Sequence, residues 1–502
     1  MCIGRETSLE KLFYQMIYDK RVKRSMAILE VLYKTKSDIS IKELAERLEV
    51  SKQTIVTTLE FLETLLPSTF SLCVTEKQVS LQSKINQPVD VAIIEIAKKT
   101  TSFQILEYAY LNKGLNIGEL AERLFISETA LRDRIKHINK VLKLFGCRLS
   151  SYEMKFIGDE AGIRYFVYHY FGEFQDFYYS ICDEQLKYCA SIYMGMKRLL
   201  AKEDYKLINH SYQQVTRWLT VTSDRLKAEQ FIEISEDFIQ RISKRSSYGI
   251  FRRVYKKQIS EHLNGLQIPE SEVVWAYIIG FKAVIYSNDD GKDLYRKGND
   301  NLLCEQEADI VSARMFKILN IAEENRERFL RVHKAYFINT SLLTEISPVL
   351  QMSSPTEIDY VANSLKNIYD KWFDYLSMNS KGTAFPIKHF DSIATQLAMI
   401  SSQFAHKQRR QATKILYSFE GGPGFETYME ALARRLLPKE IKGVFVHSRP
   451  ITSELIRQIR PDILVHNYDF LEKVRGCKML RVSEIPQEKE WEWLKELAIN
   501  LE

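Results

Sequence analysis

Ile41-Lys42-Glu43-Leu44-Ala45-Glu46-Arg47-Leu48-Glu49-Val50-Ser51 recurs 76 residues later as Ile117-Gly118-Glu119-Leu120-Ala121-Glu122-Arg123-Leu124-Phe125-Ile126-Ser127, with eight of eleven positions identical. Apolar residues follow each copy in the same spacing: Ile55, Leu59, Leu62, Leu66 and Leu131, Ile135, Ile138, Leu142. Steps of four, three and four trace one face of a helix. Each copy therefore reads as two helices joined by a tight turn. Leu44, Ala45 and Leu48 form the buried face of the first helix, and a β-branched residue (Val50 or Ile126) plugs the turn. Ser51 and Ser127 stand where an N-cap oxygen satisfies the free N–H groups of the next helix. Apolar helices precede the copies (Met26–Tyr33, Val91–Tyr110), and alternating segments follow them (Phe70–Leu81, Arg148–Ile157) as hairpin wings. The reading is two tandem winged helix-turn-helix units, whose second helices suit the DNA major groove.

Charge separates the copies. Outward positions of the second recognition helix include Ser127 at its cap, then Thr129, Arg132, Lys136, Lys140 and Lys143, with Asp133 the acid among them. Basic side chains there neutralise phosphates; Arg132 and Lys136, near the N-terminal half, can reach base edges. The first copy offers Lys52, Gln53 and Thr57 beside Glu60 and Glu63, a weaker surface. Two helical hairpins used only for packing are the structural alternative.

The wider composition agrees. The 502 residues carry a net charge of +6; the first 150 hold 23 basic and 18 acidic side chains, leaving a surplus of one for the rest. Gly (19) and Pro (11) are too few for a collagen-like, Pro-rich or disordered chain. Seven cysteines without a CxxC pair suggest reduced thiols rather than a disulfide framework or zinc site. The start of the chain has no apolar signal-peptide core, and no stretch of 18 apolar residues suggests a membrane helix. The expected location is the cytoplasm.

From about 160 to 405 the periodicity is helical and aromatic-rich, including Tyr165-Phe166-Val167-Tyr168-His169-Tyr170-Phe171. A break near Ser287-Asn288-Asp289-Asp290-Gly291 divides it into two all-α bundles. His210 and His333 each lie in a helical-looking context, one per bundle; a lone helical histidine is usually structural. No metal-ligand spacing appears. From Ala412 strand-like and helical runs alternate: Thr413–Phe419, Phe425–Leu437, Gly443–His447, Ser453–Ile459, Asp462–His466, Tyr468–Val474, Lys478–Val482 and a last helix. This is a small parallel α/β sheet. Gly421-Gly422-Pro423-Gly424 follows the first strand. It can cradle an anion on free N–H groups, but it lacks the Lys-Ser/Thr of a P-loop, and a tight turn without ligand is the simpler reading.

In this order the parts resemble the Mga/AtxA family of transcription regulators of Gram-positive bacteria, most strongly over Ile117–Phe145. The implied fold is mainly α and multidomain. It comprises winged units over 1–85 and 86–160, bundles over 161–287 and 288–408 like phosphotransferase-system regulation domains, and an enzyme-IIB-like α/β domain over 409–502. The resemblance implies a global or virulence gene activator, with His210 and His333 as phosphorylation sites tuned by sugar transport. It also implies as partners double-stranded promoter DNA, curved or AT-rich, and the phosphorylated carrier protein of that system. A homodimer or higher oligomer would form through the tail and bundles. Departures stand beside it. Trp275-Ala276-Tyr277-Ile278-Ile279-Gly280-Phe281 and Ala394-Thr395-Gln396-Leu397-Ala398-Met399-Ile400 lack the second histidine often found late in such bundles. Phe419 stands where an active enzyme IIB has its cysteine, and without a thiolate nothing accepts a phosphoryl group. The tail is thus expected to dimerise or dock. No catalytic residue, cofactor, metal or membrane contact is expected. A phosphoryl carrier and a scaffold without DNA remain as alternatives.

Overall fold

The computed structural model describes residues 12–499 apart from 36–37, 76–77, 85–86, 112–113, 175–186, 188, 199–200, 202–207, 264, 288–301, 380–384, 406–412, 438–440, 448 and 471–474. In the first N-terminal unit, helices Lys20–Lys34, Ile41–Arg47 and Lys52–Leu65 pack around Leu44, Ile55, Leu59 and Leu62. An antiparallel hairpin, Phe70–Val74 with Gln78–Ser83, forms the wing, and Ile39–Ser40 pairs with its second strand.

The second unit repeats the plan with helices Ile117–Arg123 and Glu128–Leu142 and a short wing, Cys147–Leu149 with Phe156–Gly158. Its upstream element is two helices, Val89–Lys98 and Thr101–Tyr110, rather than the single one expected. Thr100 Oγ1 accepts from the Phe103 N–H at 3.2 Å and starts a new helix inside an apolar run. In both units the turn places a non-glycine residue in the left-handed region, Glu49 and Phe125, each at φ 53°. Val50 N–H and Ile126 N–H then bond back to Ala45 and Ala121 carbonyls at 3.0 Å, so the plug is set by the backbone as well as by packing.

Helix Glu160–Gly172 leaves the second wing and enters the first bundle. Asp159 caps it by accepting from Ala161 and Gly162 N–H. At Gly162 a Cβ would overlap the Phe145 carbonyl oxygen, so only glycine allows this approach. Arg164 is fully buried and donates to both Glu272 oxygens at 2.8 Å and to Glu160 at 2.9 Å. Arg225 binds Glu160 as well.

Helices Tyr212–Lys227, Glu236–Ser243, Ser246–His262 and Glu270–Ile279 follow. A second helical group comprises Leu302–Ile318, Arg326–Ile346, Pro355–Ser364, Lys366–Met378 and Phe390–Ala405. The break expected at 287–291 falls outside the described residues beyond Ser287.

The tail is a four-stranded parallel sheet in the order Ile441–Phe445, Thr413–Ser418, Ile463–His466, Lys478–Arg481. Helices Phe425–Leu436, Ser453–Ile459 and Glu488–Ile499 accompany it. Of the helix expected over Tyr468–Val474, residues 468–470 are irregular and the rest lies outside the described residues. The glycine turn is occupied from within: Gly422 N–H donates to Glu357 Oε1 at 2.8 Å and Gly424 N–H to Gln396 Oε1 at 2.9 Å. Arg217 of the first bundle pairs with Glu420 at 2.7 Å, so the tail sits against both helical groups.

Candidate nucleic-acid interface

The recognition helix of the second unit, Glu128–Leu142, is built from its ends. Ser127 Oγ accepts from Ala130 N–H at 3.1 Å, and Leu131, Ile135, Ile138 and Leu142 are buried. In the helix before it, Asn116 and Glu119 form a reciprocal capping box, which fixes where that helix starts. The opposite face is free of packing: Ser127, Thr129, Arg132, Lys136 and Lys140 are exposed, as is Lys143 just past the helix end.

Arg132 is not idle. Its Nη2 lies 3.3 Å from Glu128 Oε2, an exposed pair one turn apart. Such a pair is worth at most about 1 kcal/mol, so a phosphate or a guanine edge can displace it. The acid paired with a basic side chain on this face is thus Glu128 rather than Asp133. His137 faces the protein instead, its Nε2 2.8 Å from the Gln15 carbonyl, which ties the recognition helix to helix Leu12–Met16. That short helix is in turn capped by Glu173 of the first bundle, which accepts from Leu12 and Phe13 N–H at 2.9 Å.

Two aromatic side chains flank the same helix and carry no periodic signal in the sequence. Phe125 in the turn is 94% exposed and Tyr152 at the wing tip is 85% exposed. A short hairpin beginning near Arg148 was legible; the outward ring at its tip was not.

In the first unit Lys52 and Gln53 are exposed on helix Lys52–Leu65, whereas Thr57 is half-buried beside Arg21, which donates to its carbonyl. Arg21 also covers the Phe61 ring at 4.1 Å. This recognition helix has part of its outward face closed by its own unit.

The two histidines differ. His333 sits on helix Arg326–Ile346 and is fully buried, its ring between Phe329 and Trp372. Nδ1 meets the Phe329 carbonyl and Nε2 meets Ser401 Oγ, both at 2.8 Å. Burial pushes its pKa down to about 4, so it is a neutral ring with both nitrogens engaged. His210 lies in an extended segment rather than the expected helix, bridged antiparallel to Val284, just before helix Tyr212–Lys227. It is half-buried and lines an apolar cavity of the first bundle. Among the described residues no cluster of His, Cys, Asp and Glu could hold a metal, and no helix is long and apolar enough to cross a membrane.

Comparison with known proteins places this geometry. Residues 86–171 match the Mga helix-turn-helix domain, and residues 24–73 match a helix-turn-helix (HTH) domain family. The capsule synthesis positive regulator AcpA of Bacillus anthracis is 20% identical over 86% of this chain and 89% of its own length. The anthrax toxin expression trans-acting positive regulator of the same organism is 18% identical over 91% of this chain and 94% of its own. A third relative, the capsule synthesis positive regulator AcpB, is 25% identical over 29% of this chain and 30% of its own. The first match spans the second winged unit and runs on into helix Glu160–Gly172, the same continuity that Gly162 and Asp159 build. The chain thus carries a Mga helix-turn-helix domain behind a second helix-turn-helix domain, and over nearly its whole length it is similar to positive regulators of the Mga/AtxA kind.

Proposed function

We propose that this chain activates transcription by binding double-stranded promoter DNA through helix Glu128–Leu142. Arg132 and Lys136 reach base edges, Ser127 and Thr129 meet the backbone at the helix start, and Lys140 and Lys143 neutralise phosphates. Lys52, Gln53 and Thr57 of the first unit add a weaker contact. The observation that carries the reading is the exposed polar and basic face of a well-capped recognition helix. With few base contacts, selectivity rests on DNA deformability, which favours curved or AT-rich sites. The test is Arg132→Ala with Lys136→Ala, followed by anisotropy titrations against salt. The expected result is loss of specific binding with unchanged melting, while the salt slope, set by phosphate contacts such as those of Lys140 and Lys143, changes little. A folded double variant that binds promoter DNA like the parent refutes the assignment.

The helical groups act as phosphotransferase-system regulation domains and the tail as an enzyme-IIB-like docking module of a cytoplasmic homodimer. His210, half-buried and outside a helix, is the phosphoryl acceptor supported by its exposure. His333 accepts only if the second helical group opens, because both its nitrogens are engaged. Incubation with phosphorylated carrier protein and mapping of phosphohistidine tests this; modification at neither site removes the sugar linkage while leaving DNA binding untouched.

A further inference from the structure

The wing of the second unit ends in a turn that holds one side chain outward. Between strands Cys147–Leu149 and Phe156–Gly158, Ser150 N–H donates to the Lys155 carbonyl at 2.9 Å. Ser150 Oγ accepts from Tyr152 N–H at 3.3 Å and from Glu153 N–H at 3.2 Å. Met154 then takes φ 48°, a conformation uncommon outside glycine, and its side chain is buried. Tyr152 projects from this pinned loop almost wholly exposed. A ring left in water adds little burial energy to the fold.

The same wing is tied to the recognition helix. Asn139 Nδ2 donates to the Leu149 carbonyl at 3.0 Å, and Leu149 N–H donates to Asn139 Oδ1 at 2.6 Å. Asn139 follows Lys136 by three residues and precedes Lys143 by four, so it lies beside both on the helix surface. The wing therefore leaves the helix from the edge of the basic face. It carries two bases, Arg148 and Lys155, against one acid, Glu153, which pairs with Lys155 at 2.8 Å. For a helix seated in the major groove, the groove across the flanking backbone is the minor one, and an element at the helix edge arrives there.

We propose that Tyr152 is a wedge whose ring enters that minor groove, partly unstacks an A·T-rich step and kinks the duplex. This rests on the reading that helix Glu128–Leu142 lies in the major groove. Side chains inserted between base steps exchange stacking for a bent duplex that meets more protein. Flexible TA and CA/TG steps yield most readily. The amino group of guanine stands in the minor groove and obstructs the ring. The preference for deformable, AT-rich DNA then has a named side chain behind it.

The test uses the full chain and an AT-rich duplex of about 40 base pairs with TA steps and a dye at each end. Energy transfer between the dyes reads bending, and anisotropy reads affinity. The parent should bend the duplex, and Tyr152→Phe should bend it alike. Tyr152→Ala should melt like the parent, bind about tenfold more weakly and leave the duplex nearly straight. Replacing the A·T pairs by G·C should weaken the parent about tenfold and Tyr152→Ala little, whereas I·C pairs, which lack the guanine amino group, should behave as A·T. A straight duplex under the bound parent, equal bending by Tyr152→Ala, or equal sensitivity of both proteins to G·C overturns the wedge and leaves the recognition helix in place. A parent that does not bind, or that binds as well after Arg132→Ala with Lys136→Ala, overturns the major-groove reading and the wedge with it.

Discussion

Two buried charge arrangements set the behaviour of single residues. Arg164 and Glu272 are both fully buried and joined by two hydrogen bonds. Removing one partner strands the other charge, so Glu272→Ala should destabilise the first bundle by about 3–5 kcal/mol in chemical denaturation. The double change Arg164→Met with Glu272→Leu should recover much of that loss, since an apolar pair replaces a desolvated one. Carboxylates of the second helical group and tail respond to pH. Burial pushes Glu357, Glu426 and Glu490 each up to about 7. The folded chain thus holds these protons more tightly than the unfolded chain. Their stabilisation is complete below about pH 4.5 and is lost as pH rises through about 7. Glu357→Gln keeps an acceptor for Gly422 N–H and removes the ionisation. It should raise stability at pH 8 by roughly 1–3 kcal/mol and change little at pH 5; melting curves at both pH values decide this.

At the scale of elements, the join between the second winged unit and the first bundle is the sensitive place. Gly162→Ala would push helix Glu160–Gly172 off the Phe145 carbonyl. The expected loss is about 2 kcal/mol or more in urea denaturation, together with weaker DNA binding. Ser127→Ala removes the recognition helix cap and should cost about 1 kcal/mol by the same measurement. The sequence made some elements plain and hid others for a physical reason. Helix-turn-helix packing is local, so Leu44, Ala45, Leu120 and Ala121 and the caps Ser51 and Ser127 announce it within a short window. His210 looked helical because its neighbours are, yet its partner is Val284, a strand-type contact no local window contains. Thr100 hid a helix break because the residues on both sides share one apolar pattern. Arg164 and Glu272, like Glu357 and Gly422, meet only after the chain has folded back over many residues.

At the scale of the molecule, the second DNA-binding unit is held at several points. Tyr110 hydrogen-bonds Asp224 on helix Tyr212–Lys227, His137 reaches Gln15, Glu173 caps helix Leu12–Met16, and Gly162 lies on Phe145. The first bundle is in turn tied to the second helical group, where Tyr165 donates to the Met352 carbonyl and Lys282 to the Leu350 and Met352 carbonyls. The recognition helix is therefore carried by the body rather than hung from a linker. In the proposed homodimer this makes the protein a ruler. The distance and angle between its two reading heads belong to the assembly, so paired half-sites must lie in helical phase. Inserting about five base pairs between them should abolish cooperative binding in footprinting, and inserting about ten should restore much of it.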